Sequence, residues 1–125
     1  MPVIPSRLRT APIKTGLAVR VDLTSGPRIG PGKVRLLEEI ARTGSISAAG
    51  RAMGMGYLHT WRLVNEMNKG IGPVITTAKG GSGGGGAKLT KIGEKLVAEY
   101  RAIEVSSGAA SRSHLAALED AFRPR

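Results

Sequence analysis

Apolar side chains recur at helical intervals from Val34 onward. Val34, Leu37 and Ile40 are spaced three residues apart, which places them on one face of a helix. Pro31 fits the first turn of that helix, where a missing N–H group costs nothing. Gly44 fits the position just after its last turn. The pattern therefore predicts a first helix between Pro31 and Gly44.

A second, shorter helix is predicted directly after Gly44. Ser45 or Ser47 can cap it, because a serine hydroxyl accepts hydrogen bonds from the free N–H groups of a first helical turn. Gly54 and Gly56 then make a turn, since glycine adopts a positive φ at little cost. Small side chains would let this helix approach a neighbour closely, and its expected inner face comprises Ala48, Ala49, Ala52 and Met53.

The third helix is predicted from about Tyr57 to Lys69. Its apolar stripe consists of Thr60, Val64 and Met67, and Trp61 at the edge is expected to anchor the packing. Two helices joined by a glycine turn over 44–69 indicate a helix-turn-helix, the unit that places one helix in a DNA major groove. The side chains left facing outward or towards the edges are Tyr57, Leu58, His59, Arg62 and Asn65.

Short strands are predicted before and after these helices. Apolar and polar residues alternate over 17–23, which is typical of a half-buried strand, and a turn-rich connector follows at 24–32. Residues 73–79 are rich in β-branched side chains, and 87–89 can form a return strand. With the glycine tract at 80–86 between them, these strands predict a hairpin, or wing.

The C-terminal part of the chain is predicted to be helical. Thr90 can cap a fourth helix, which the small residues at 106–111 should break before a last short helix. The predicted fold class is mainly α with a small β wing: a winged helix-turn-helix with an extra N-terminal strand and C-terminal helices. We expect a flexible arm at 1–16 and a single domain over 17–125, in which the helix-turn-helix occupies 44–69, the wing 73–89 and the C-terminal helices 90–123.

The positive charge is unevenly distributed along the chain. The net charge is +10; residues 1–91 hold 14 Lys and Arg against four Asp and Glu, whereas residues 92–125 hold five of each sign. The whole excess therefore precedes residue 92. This distribution favours a polyanion-binding surface beside a packing or dimer element, and the alternative is a solvated basic surface.

Several classes of protein do not fit the composition. There is no cysteine, so disulfides and thiolate metal sites are excluded, and no apolar run approaches the roughly 20 residues that span a bilayer. The N-terminus lacks the apolar segment of a secretory signal, so we expect a cytoplasmic location. Ala87 precedes Lys88 and Leu89 follows it, which breaks the P-loop pattern. With no nucleophile motif or useful carboxylate pair, we expect no enzyme activity, no cofactor and no metal site.

Short motifs between residues 31 and 105 resemble the DNA-binding domain of ModE-type molybdate-responsive regulators, a domain related to the LysR-type helix-turn-helix. The motifs are SIS at 45–47, Trp61, NEMN at 65–68, the glycine-rich wing and LT-x-x-G at 89–93. The resemblance implies DNA binding. Full-length members also carry C-terminal β-rich modules that bind molybdate, for which the residues after the fourth helix leave no room. We therefore do not expect molybdate to bind this chain.

Phosphate contacts should come first in DNA recognition, because they fix the register of a protein on the duplex. Ser45 and Ser47 are suited to one phosphate, although Ser47 can equally be only a helix cap, and Arg51 can reach a neighbouring phosphate or remain solvated. Base reading would fall to the third helix. Its candidate residues are Tyr57, His59 and Arg62, with Leu58 for a thymine methyl group.

The wing carries a lysine on each side of its glycine tip. In a paired hairpin Lys79 and Lys88 are expected to lie opposite each other, where like charges are unfavourable unless an anion lies between them. This predicts a phosphate or minor-groove contact by the wing. We also expect the glycine tip to be poorly ordered without DNA.

These observations predict a sequence-specific transcriptional regulator that binds double-stranded DNA. We expect a homodimer, assembled through the fourth and last helices and the strand at 17–23, and no membrane association. The alternative is a winged-helix module that binds another protein without reading DNA. The salt dependence of DNA binding separates the two hypotheses. A protein that neutralises phosphates releases counterions, so its affinity for DNA falls steeply as the salt concentration rises.

Overall fold

The computed structural model describes residues 15–78 and 86–124. They form two compact units: the central unit comprises Ala18–Glu104, and the terminal unit comprises the described residues 15–17 and 105–124. The boundary falls within the range 17–125 for which we predicted one domain. The predicted arm lies largely outside the described residues, as do Lys79 and all of the predicted glycine tip except Gly86.

The described chain is mainly helical, as the fold class predicted, and has two small antiparallel sheets. None of its helices is both long and apolar enough to cross a membrane. In chain order the elements are β1 (Val21–Asp22), β2 (Arg28–Ile29), α1 (Pro31–Thr43), α2 (Ile46–Ala52), α3 (Tyr57–Gly70), β3 (Ile75–Thr77), β4 (Ala87–Leu89) and α4 (Lys91–Phe122).

Helix α1 supplies the largest share of the core of the central unit. Its bounds agree with the prediction, and Gly44 ends it in the left-handed conformation at φ 71°, with its N–H donating to the Ile40 carbonyl at 2.8 Å. Leu36, Leu37 and Ile40 are fully buried. Burying one such side chain contributes about 1.5–3 kcal/mol, so this face fixes α1 in place.

Helix α2 packs only in part through the predicted residues, of which Ala49 is buried and Met53 is partly buried against the core. Its buried residues are Ile46, Ala49 and Gly50, whereas Ala52 is exposed. Gly50 lies against Thr60 of α3, and a Cβ added at Gly50 would overlap the Thr60 hydroxyl. The closest approach of the two helices therefore depends on a glycine, not on the alanines.

The N-terminal strand is shorter than predicted. Only Val21–Asp22 forms a strand, because its partner is Arg28–Ile29, which we had assigned to a connector; Val21 lies opposite Ile29. Tyr100 of α4 packs with Ile29 and Val34 in a second apolar cluster, and its hydroxyl donates to the Val19 carbonyl at 2.7 Å. Burial raises the pKa of Tyr100 above its ordinary value, because desolvation disfavours the phenolate.

Helix α4 is continuous from Lys91 to Phe122, so the predicted break at 106–111 is wrong. Within that stretch the Ser111 hydroxyl donates to the Ser107 carbonyl at 2.6 Å, which satisfies its hydrogen bond without leaving the helix. One interior glycine costs only about 1 kcal/mol, which a helix of this length absorbs. Thr90 caps the helix as predicted, since its hydroxyl oxygen accepts from the Gly93 N–H at 3.0 Å.

Candidate nucleic-acid interface

The outer face of α3 carries all four of the predicted base-reading side chains. Tyr57 is 62% exposed and Leu58 is 75% exposed, and His59 and Arg62 are exposed as well. Thr60, Val64 and Met67 on the opposite side are buried, as the apolar stripe predicted. The helix therefore separates a core face from a face that presents two large side chains, a histidine and an arginine to solvent.

The turn before α3 uses its glycines in different ways. Gly54 adopts φ 69°, a left-handed conformation that favours glycine. Gly56 adopts φ −66° and is the N-cap of α3, so the predicted positive φ at this position is wrong. The Thr60 hydroxyl donates to the Gly56 carbonyl at 2.8 Å. This bond lies within the first turn of α3 and orients Thr60, whose contact with Gly50 holds α3 against α2.

Trp61 is the packing anchor that the sequence predicted. Its partly buried side chain packs against the apolar cluster that includes Leu36, Leu37 and Ile40. Its Nε1 is buried without a hydrogen-bond acceptor among the described residues. The ring of Tyr57 meets it edge-on, with 6.3 Å between ring centroids and 60° between the planes. Edge-to-face ring contacts are favourable, so Trp61 also orients Tyr57 on the outer face of α3.

The start of α2 presents the candidate phosphate contacts. Ser45 is the N-cap, and its hydroxyl oxygen accepts from the Ala48 N–H at 3.1 Å, whereas Ser47 lies inside the helix and caps nothing. Both serines are half-buried, and Arg51 is exposed. No described residue forms an ion pair with Arg51, so its guanidinium is available for an anionic partner.

Strands β3 and β4 form the predicted antiparallel hairpin, but its register differs from our expectation. Lys88 lies opposite Thr76, so the predicted pairing of Lys88 with Lys79 is wrong. Lys79 itself lies outside the described residues. Thr76 and Lys88 are both exposed, which places a hydroxyl and an ammonium group side by side on the outward face of the hairpin.

Asn68 joins the end of α3 to the start of β3. Its Oδ1 accepts from the Val74 N–H at 2.9 Å and the Ile75 N–H at 3.1 Å, while its Nδ2 donates to the Ile75 carbonyl at 3.2 Å. The sequence motif NEMN includes this residue, but we predicted no contact for it. No periodic signal could reveal the contact, because it depends on where the strand passes the helix.

Two further main-chain hydrogen bonds hold the base of the hairpin. The Ala87 N–H donates to the Gly44 carbonyl at 2.8 Å, which ties β4 to the end of α1. The Thr90 N–H donates to the Val74 carbonyl at 2.9 Å. A Cβ at Gly93 would overlap that same carbonyl, so α4 begins in close contact with the hairpin. The base of the hairpin is therefore fixed on several sides.

The charged side chains that are strongly paired lie away from α3. Arg101 of α4 meets Glu38 of α1 through two hydrogen bonds, at 2.6 and 3.0 Å. The pKa of Glu38 is lowered, mainly by the hydrogen bond that Arg101 donates to it. Within 15–78 and 86–124, no group of three or more His, Cys, Asp or Glu could hold a metal ion.

The fold and the exposed face of α3 define a class: a mainly helical domain in which three helices precede a two-stranded hairpin. No family model matches the chain. The chain is 53% identical over 81 residues to the molybdenum-pterin-binding protein MopB of Rhodobacter capsulatus, an alignment that covers 64% of this chain and 30% of MopB.

Two proteins named ModE extend this similarity. The chain is 41% identical over 71 residues to the DNA-binding transcriptional dual regulator ModE of Escherichia coli (strain K12), covering 56% of this chain and 27% of that protein. It is 36% identical over 86 residues to the molybdenum transport protein ModE of Azotobacter vinelandii, covering 68% and 32%. The chain therefore contains a ModE-type domain, as its motifs predicted. It spans about a third of the length of these relatives.

Proposed function

We propose that the ModE-type domain is a winged helix-turn-helix that binds double-stranded DNA in a sequence-specific manner and regulates transcription. The observation that carries this proposal is the outer face of α3. Tyr57 and Leu58 are left 62% and 75% exposed on a helix whose opposite face is buried. Exposed large side chains beside an arginine suit a surface that meets a partner. ModE of Escherichia coli, a relative of this domain, is named a DNA-binding transcriptional regulator.

In this proposal α3 lies in the major groove and reads bases. The Arg62 guanidinium donates to guanine O6 and N7 together, a contact worth about 1–3 kcal/mol of discrimination. Leu58 contacts a thymine methyl group, His59 donates or accepts at a base edge, and Tyr57 approaches in the orientation that Trp61 gives it.

Phosphate contacts fix the position of the domain on the duplex. Ser45, Ser47 and Arg51 at α2 contact the phosphates of one strand. The hairpin acts as the wing, and Lys88 and Lys79 contact the DNA backbone or minor groove. Because the Arg and Lys side chains neutralise phosphates and so release counterions, the affinity should fall steeply with salt.

The test measures the affinity for DNA as a function of salt, first on random duplexes and then on sequences selected from a random pool. We expect a steep loss of affinity with salt and a selected consensus that binds more tightly than random DNA. Binding that is insensitive to salt, or absent, would refute the proposal. It would favour the alternative, a module that uses Tyr57 and Leu58 to bind another protein.

A homodimer assembled through α4 completes the proposal. Two copies of α3 would then read half-sites about 34–36 Å apart, or a multiple of that spacing. Sedimentation with and without DNA tests the stoichiometry. That molybdate does not bind this chain stays a prediction, which equilibrium dialysis with molybdate can test.

A further inference from the structure

Asn68 contacts the hairpin through a single amide that satisfies three main-chain groups. Both N–H groups that it accepts from, and the carbonyl that it donates to, belong to Val74 and Ile75. The chain between α3 and β3 contains Gly72 in a left-handed conformation at φ 127°, so it turns sharply at a residue with wide conformational freedom. The side chain of Asn68 therefore adds a direct tie to α3 to the other bonds that hold the base of the hairpin.

This attachment links Lys88 to α3 through one step of the sheet. Ile75 pairs with Leu89, and the next pair along the hairpin is Thr76 with Lys88. A shift of Ile75 relative to α3 would carry Lys88 with it. On the other strand, the bond from Ala87 to Gly44 ties β4 to the end of α1. Among the described residues, Asn68 is therefore the hydrogen-bonded link from the hairpin to α3 itself.

We propose that Asn68 is a positioning residue for DNA binding: it holds the hairpin at the distance from α3 at which Lys88 and the outer face of α3 meet the same duplex. This inference rests on the proposed function. A second contact adds its full binding free energy only when the two sites are already arranged, because a loose hairpin must first be ordered. Asn68 supplies that arrangement without touching DNA.

A double-mutant cycle between Asn68 and Lys88 tests this role. One neutralised phosphate contributes about 0.9 to the salt slope, so Lys88→Ala in the otherwise native chain should lower the affinity about eightfold at a salt concentration of about 0.1 M. In a chain that carries Asn68→Ala, Lys88→Ala should lower it less than about twofold. A residue that only stabilises the fold would leave the effect of Lys88→Ala unchanged in the folded protein.

Asn65 provides the matched control, since it lies one turn earlier on α3 and is exposed. Asn65→Ala removes the same amide from the same helix, and its effect on affinity should add to that of Lys88→Ala. Circular dichroism verifies that each variant is folded. If Asn68→Ala does not fold, Asn68→Gln replaces it, because glutamine carries the same amide one methylene further from the backbone. In the Asn68→Gln chain, Lys88→Ala should again lower the affinity less than it does in the native chain.

The outcomes separate this inference from the proposed function. An equal effect of Lys88→Ala in both backgrounds, in a chain that binds DNA with a steep salt dependence, would overturn the role of Asn68 alone. A negligible effect of Lys88→Ala in the native chain would also overturn it, because no contact would remain for Asn68 to position. Absence of DNA binding by the native chain would refute the proposed function itself.

Discussion

Arg62 is exposed on α3, one turn after Leu58 and on the helix face opposite the core. Arg62→Ala should therefore remove sequence preference while leaving most of the nonspecific binding. The expected loss of discrimination is about 1–3 kcal/mol, the worth of one bidentate contact to guanine. Competition between a selected sequence and random DNA measures it.

The control for Arg62 is another exposed arginine of the central unit. Arg35→Ala on α1 removes the same charge from a different helix. It should lower affinity for all sequences slightly and equally, through the general electrostatic attraction. If Arg62→Ala and Arg35→Ala change discrimination to the same extent, the base-reading role of Arg62 is wrong.

The ion pair between Glu38 and Arg101 makes the free energy of unfolding depend on pH in the acid range. Because Arg101 lowers the pKa of Glu38 below its ordinary value of 4.5, the pair's contribution is present above that value and is lost as the pH falls through the folded-state pKa. Both side chains are 38% exposed, so the contribution should be below about 1 kcal/mol. Urea unfolding of the native chain and of Glu38→Gln, compared below about pH 5, should show a weaker pH dependence in the variant. Equal dependence would assign the acid sensitivity to other carboxylates.

At the scale of elements, the approach of α2 to α3 depends on the absence of a side chain at Gly50. Alanine normally stabilises a helix by about 1 kcal/mol relative to glycine. Gly50→Ala should nevertheless destabilise the fold by about 1–3 kcal/mol, because its Cβ overlaps the buried Thr60. Thermal unfolding measures the change in stability.

Gly108 of α4 is the matched control for that prediction. It lies inside a helix, and a Cβ added there would have no neighbour within 4 Å among the described residues. Gly108→Ala should therefore raise stability by up to about 1 kcal/mol. Both substitutions replace glycine by alanine inside a helix. Changes in stability of opposite sign would therefore show the steric cost at Gly50, whereas changes of the same sign would contradict it.

The helices and strands differ in how accurately the sequence predicted them. Helices α1 and α3 were predicted closely, because their apolar stripes and terminal glycines act within one or two turns. Strand β2 was missed because it has two residues and exists only through pairing with β1. The continuity of α4 was also missed, since serine and glycine at 106–111 weaken a helix without ending it.

At the scale of the whole molecule, the charge distribution predicts how binding responds to salt. All of the net charge of +10 precedes residue 92. Changing both Lys79 and Lys88 to Ala should weaken binding to every sequence and reduce the salt slope by about one for each lysine that contacts a phosphate. Changing Lys95 and Arg112, which lie beyond the basic region, to Ala provides the control. An unaltered slope in the Lys79 and Lys88 variant would remove the wing from the interface.

The sequence by itself determined the order of the helices, the buried stripe of α3 and the exposed set that includes Tyr57 and Arg62. Periodicity decides these features, because a helix places every third or fourth residue on one side wherever the chain goes. Tertiary structure alone decided that Gly50 permits the contact between α2 and α3, that Lys88 faces Thr76 and that Asn68 holds the hairpin. Those features depend on distances between segments that meet only in the folded chain. The residue pattern within one segment does not indicate which other segment it will contact.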